Sequence, residues 1–208
     1  MTSSTELTLT GLLLKDALAA IDRRIYADRS TCRDIIRSLF ATCEGMAWVL
    51  RNHVSEAARD VDQLESDEAE ALSEQQIFVG DDGKISHKRR YLSISATVRL
   101  SARIASRIDA NFQPDFSGTQ WQNFRSFVDL RNRLTHPKSL SDLEVADHEI
   151  DLAISAFFWL LELSANAMDA ANAALRAHNS ELSNLFSQLQ AGDLATWSEY
   201  RRLLERNS

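Results

Sequence analysis

The residues best suited to chemistry lie in one stretch, Trp121-Gln-Asn-Phe-Arg-Ser-Phe-Val-Asp-Leu-Arg131-Asn132-Arg133-Leu134-Thr135-His136-Pro137. Histidine exchanges a proton near neutral pH, and the planar donor fork of arginine matches the oxygens of a phosphate. Placed on a helix at about 100° per residue, with Trp121 at zero, Phe124, Phe127, Val128, Leu130 and Leu134 span about 180° to 340°. Arg131 falls near 280°, in the middle of that apolar face, whereas Asn132 and His136 sit together on its border, one turn apart. A guanidinium in such a place is desolvated unless it is paired or opens into a cleft. A carboxylate on another helix would serve as a structural partner, and the candidates are Glu44, inside the apolar run Leu39 to Leu50, and Glu162. His136 at a helix end also fits the bland role of a C-terminal cap.

The string Arg-Asn-x-x-x-His, on a helix with an apolar background that Pro137 cuts off, resembles the signature of the HEPN superfamily (higher eukaryotes and prokaryotes nucleotide-binding domains). The resemblance extends to the helical layout from about Leu7 to Arg176. It implies an all-α bundle of long antiparallel helices acting as a metal-independent endoribonuclease, often a toxin or defence effector. It also implies a homodimer whose two motifs face one cleft. Carried over by position, Arg131 and His136 are the catalytic pair and Asn132 the polar helper. The residue types suit metal-free RNA cleavage, which needs a base for the 2′-hydroxyl and a fixed cation for the charge on the phosphorane. Within one ideal helix Arg131 and His136 are about 140° apart, so a facing copy would supply the missing geometry. Some relatives have a tyrosine, modified by a nucleotidyltransferase antitoxin, two residues after the histidine. Lys138 stands there in this chain.

The rest of the chain is expected to position this helix. Of 208 residues 44% are hydrophobic and only two are proline, the first at Pro114, which disfavours a sandwich or barrel and favours long helices. A first amphipathic helix is expected over Leu7 to Asp28, and a second one capped by Ser30 or Thr31. Residues 55–87 read as an inserted acidic helical arm, in which ten carboxylates between Glu56 and Asp82 face the single base Arg59, ending in a turn at Gly80-Asp-Asp-Gly83. Arg99, Arg103 and Arg107 then recur every fourth residue on the next helix. Ser141-Asp-Leu-Glu144 has capping-box spacing and is expected to open a long helix towards Arg176. Residues 1–178 thus make the bundle and 179–208 a short helical extension that packs on it or on a second subunit.

A net charge of −7 excludes a generally cationic, polyanion-coating protein, so RNA must be held by a local field. The expected contributors are Arg99, Arg103, Arg107, Arg125, Arg133 and Lys138. Cys32 and Cys43 form neither a disulfide framework nor a zinc spacing. No metal or cofactor is expected, and no Gly-rich phosphate loop, HExxH or GxSxG occurs. The N-terminus lacks a basic start with an apolar stretch, and the oily run from Ala153 to Leu163 is too short for a bilayer and carries Glu162. These features lead to the expectation of a cytoplasmic protein, with RNA, a second copy and an antitoxin or regulatory protein as partners, and neither membrane nor DNA. The other functional class that fits is a non-catalytic HEPN-like interaction or nucleotide-binding module.

Overall fold

The computed structural model describes residues 8–26 and 28–206. The chain is mostly helical: 75% helix with, among the described residues, a single two-stranded sheet. In order come α1 (Leu9–Asp22), α2 (Arg29–Asp60), α3 (Ser66–Leu72), β1 (Gln75–Val79), β2 (Ile85–Arg89), α4 (Ile94–Ile108), α5 (Thr119–Thr135), α6 (Asp147–Gln190) and α7 (Leu194–Arg206), with 3₁₀ turns over Arg23–Tyr26 and Leu140–Leu143.

Local chemistry sets the helix starts. Thr8, Asp28 and Ser93 each accept a hydrogen bond from the backbone N–H three residues on, at 3.1, 2.7 and 3.2 Å. The cap of α2 is therefore Asp28 rather than Ser30 or Thr31, and the first helix ends at Asp22 instead of reaching Asp28. Leu7, part of the expected first helix, lies outside the described residues. The capping signal at Ser141 also moves. Asp142 accepts from the N–H groups of Lys138 and Ser139 and closes the 3₁₀ turn, while α6 begins later, where Glu149 accepts from the N–H of Ala146.

α2 and α6 are the struts of the bundle, with α1, α4 and α5 packed around them. Arg29 beside Glu144, and His53 beside Asn172, show that α2 and α6 run the same way, which corrects the expectation of antiparallel long helices for this pair. α5 runs against α6, pairing Arg133 with Glu149 at one end and Trp121 with Trp159 at the other. Ile35, Ile36, Leu39, Phe124, Phe127, Leu134, Ile150, Phe157 and Leu160 are sealed between these helices. α1 lies close on α2 because Gly45 has no side chain there; a Cβ would come to 2.5 Å from the Leu13 Cδ1.

Two expectations about the extremities are corrected. Residues 55–87 are not a helical arm. Their first part finishes α2, where Ala57 and Ala58 are buried, then come the short α3 and a hairpin pairing Gln75 with Arg89 through to Val79 with Ile85. Gly83 turns the hairpin at φ +75°, donating to the Gly80 carbonyl, so the dipeptide Asp82-Gly83 lies in a five-residue loop between strands rather than at the end of a helix. At the other end α6 does not stop near Arg176 but continues to Gln190, about 66 Å in all, with residues 179–188 exposed along their length. The side chains of Tyr200, Leu203 and Leu204, read as part of an amphipathic face, lie outside the described residues. As a whole α6 is long and apolar enough to cross a membrane by length and composition, unlike the shorter run expected from sequence. Its buried residues, from Ile150 to Ala171, pack in the bundle core, while Phe158 in the same stretch is exposed.

Candidate functional site

α5 ends where Pro137 dictates, with His136 as its C-cap (φ −125°, ψ 58°) and its N–H donating to the Asn132 carbonyl at 3.0 Å. Upstream, Trp121, Phe124, Phe127, Leu130 and Leu134 are buried, so the apolar face of the helix is covered by its own chain. No second copy is needed to cover Phe124, Phe127 and Leu134.

Arg131 leaves that face at its edge. Its side chain is 29% exposed, and its guanidinium lies 4.7 Å above the Phe40 ring. One Nη reaches Glu44 Oε1 at 3.2 Å and the other Asn132 Oδ1 at 3.2 Å. Of the two carboxylates open as partners, Glu44 fills the role. Glu162 lines a separate cavity with Trp159 and Asp169. Arg131 is thus oriented by a ring, a carboxylate and an amide, yet remains reachable from solvent. His136 and Asn132 are exposed beside it. Among the described residues the imidazole of His136 makes no hydrogen bond, and no bond joins it to Arg131.

The six expected phosphate-binding cations do not form one surface. Arg107 binds Glu68 at 2.6 Å, Glu65 at 3.2 Å and the Gln63 carbonyl, tying α4 to the start of α3. This pairing holds the buried Glu68 carboxyl below its ordinary range and raises Arg107, the hydrogen bond being the main cause of both. Arg133 is similarly engaged, with both Glu149 oxygens at 2.8 and 3.0 Å and the Glu144 carbonyl. Both are fastenings of the fold, which corrects their reading as phosphate ligands. Arg99 and Arg103 are exposed, but they stand at the opposite end of α5: Arg99 lies over Phe116 and Trp121, ten residues or about 15 Å along the helix from Arg131. Arg125 and Lys138 remain exposed, and Lys138 alone of the six adjoins His136.

The structure adds a feature that the sequence did not single out. A cavity of about 620 Å³ opens between α2 and the foot of the hairpin, lined by Glu44, Trp48, Arg51, Glu74, Arg89 and Tyr91 among others. Glu44 belongs to both this cavity and the Arg131 site. The available signal was the spacing Glu44, Trp48, Arg51, which places all three on one face of α2. Trp48 sits within an oily run where a tryptophan reads as core, yet it is 50% exposed. Comparison of the chain with family models, with curated proteins and with solved structures finds no match.

Proposed function

We propose that the chain is a metal-independent endoribonuclease of HEPN type that acts as a homodimer on cytoplasmic RNA. The observation that carries the reading is the treatment of Arg131. The fold fixes its guanidinium between Phe40, Glu44 and Asn132 without sealing it from solvent, as a phosphate-binding cation requires. His136, held on the end of the same helix with its ring uncommitted, takes the proton of the 2′-hydroxyl. The 2′-oxygen then attacks the adjacent phosphorus, Arg131 stabilises the equatorial charge, and the 5′-oxygen leaves with a proton taken from water while His136 returns its own to solvent. The products are a 2′,3′-cyclic phosphate and a 5′-hydroxyl. Because no hydrogen bond joins Arg131 to His136 within one chain, the second copy completes the pair. An antitoxin or regulatory protein fits this class of activity as a further partner.

The single-residue variants Arg131→Ala and His136→Ala test it. Each is expected to lower RNA cleavage by about 10²-fold or more with the helical signal unchanged, and cleavage by the parent is expected to survive EDTA. Undiminished cleavage by folded His136→Ala protein, or metal-dependent cleavage leaving a 3′-hydroxyl, refutes the reading. One observation favours the alternative of a non-catalytic interaction or nucleotide-binding module: the Arg131–Glu44 pair satisfies the cation without any substrate. In that case the parent protein and His136→Ala are equally inert towards RNA.

A further inference from the structure

The cavity beside Arg131 combines two kinds of group. Trp48 and Tyr91 present rings that are 50% and 70% exposed, and among the described residues the Trp48 indole makes neither a hydrogen bond nor a ring contact. Large aromatic surface left uncovered in a concavity is costly in water and is relieved by a flat apolar face laid against it. Two arginines share the same walls in different states. Arg51, only 13% exposed, is neutralised by Glu74 at 3.0 Å and so belongs to the scaffold, anchoring the hairpin foot to α2. Glu74 also accepts from the Leu92 N–H at 3.3 Å and occupies a left-handed conformation (φ 53°), so the foot of the hairpin is fixed where it meets α2. Arg89, by contrast, is exposed, and its sole side-chain hydrogen bond among the described residues is to the Tyr91 hydroxyl, at 3.4 Å. It pairs with no carboxylate there.

An open ring beside a guanidinium with no carboxylate paired to it is what a single-stranded nucleotide requires: the base stacks on the ring and the phosphate takes the cation. Glu44 sets the distance to the cleavage site, since Trp48 lies one helical turn, about 6 Å, beyond the carboxylate that holds Arg131. We infer that the cavity between α2 and the β1–β2 hairpin is a subsite for one unpaired nucleotide of an RNA strand, its base stacked on Trp48 and its phosphate on Arg89. The inference rests on the RNA-cleaving reading for its choice of ligand and deepens it: the substrate is single-stranded next to the scissile bond. The hairpin, unexplained by the bundle, acquires a role as the outer wall of the subsite.

The test separates binding from cleavage by using fluorescein-labelled 2′-O-methyl hexanucleotides, which lack the attacking hydroxyl, with full-length protein. Anisotropy titrations are expected to show Trp48→Ala weakening binding about tenfold, while Trp48→Phe stays within about threefold of the parent. Arg89→Glu is expected to weaken binding and to lower the salt dependence by about one unit of log–log slope. A hexamer of abasic residues distinguishes stacking from a general structural effect. The parent should bind it about tenfold more weakly than the normal hexamer, and Trp48→Ala should not distinguish the two. Trp48 is half exposed on a helix, where alanine is the best helix former, so the variant folds. Equal binding of normal and abasic hexamers by the parent, unchanged affinity in Trp48→Ala, or no hexamer binding at all because the cavity takes a protein segment, overturns the subsite. Failure of the cleavage reading appears separately, as natural RNA left intact by a parent protein that still binds the hexamers.

Discussion

Arg131 shows how much one position can reveal and where its sequence stops informing. Helical spacing alone puts a cation on an apolar face and demands compensation, and the structure supplies it with the Phe40 ring and the Glu44 carboxylate. Which of Glu44 and Glu162 would serve was not legible, because the choice depends on how α2 and α6 lie about α5. At 50% exposure Glu44 is screened, so Glu44→Gln is expected to cost less than about 1 kcal/mol in urea unfolding. The same variant is expected to slow RNA cleavage by releasing Arg131 from its anchor, which single-turnover kinetics would show. Next to it, burial pushes the Cys43 thiol up to about 12, with the Glu44 charge adding to the effect. Only the thiolate attacks electrophiles, so Cys43 in the native protein is expected to resist iodoacetamide at pH 8 and to react once unfolded. Rapid native alkylation, located by peptide mapping, would contradict its burial.

Among the elements, the helices with a strong apolar period were readable in sequence, and α4 and α5 lie where expected. The hairpin was not, because its strands have no buried face to impose an alternating pattern: all ten residues are exposed. The ladder on α4 misled for a related reason. Arg99, Arg103 and Arg107 do share a helix face, but the carboxylates beside it are set forty residues away, where Glu65 and Glu68 take hydrogen bonds from Arg107 and Arg103 contributes only its charge to Glu68. Arg107→Met is expected to cost about 2 kcal/mol, since it strands Glu68, which is 6% exposed. The pH dependence follows from the lowered Glu68 pKa. The unfolded carboxyl binds its proton at a higher pH than the folded one, so the contribution is complete above the unfolded pKa and disappears as pH falls through the lower folded value. Acid unfolding followed by circular dichroism should therefore show a shallower loss of stability for Arg107→Met than for the parent. An equally steep loss would place the acid sensitivity elsewhere.

At the scale of the whole molecule, the chain divides into a bundle whose buried core ends at Ala171 and a tail that leaves it. Beyond it, Leu182, Leu185 and Phe186 on α6, and Leu194 and Trp197 on α7, are all more than a third exposed. Sequence set residues 179–208 apart as a helical extension without showing that α6 would run straight past the bundle, since a break near residue 178 and an unbroken helix bury the same upstream residues. Because no described core residue lies in the tail, deletion of residues 179–208 is expected to leave the thermal midpoint of the bundle within about 4 °C, equivalent to less than about 1 kcal/mol. The same deletion locates the proposed homodimer. With the apolar face of α5 buried inside its own chain, the tail offers an exposed apolar surface for association. Sedimentation velocity at micromolar concentration is therefore expected to give a dimer for the full chain and a monomer for the truncated one. If cleavage requires the motifs of two copies, the tail of one copy must pack on the bundle of the other so that the second motif reaches Arg131. The truncated protein should then also lose RNase activity while still binding the methylated hexamers at Trp48. A truncated protein that remains dimeric and active would move the interface back to the bundle, to the exposed surface around His136.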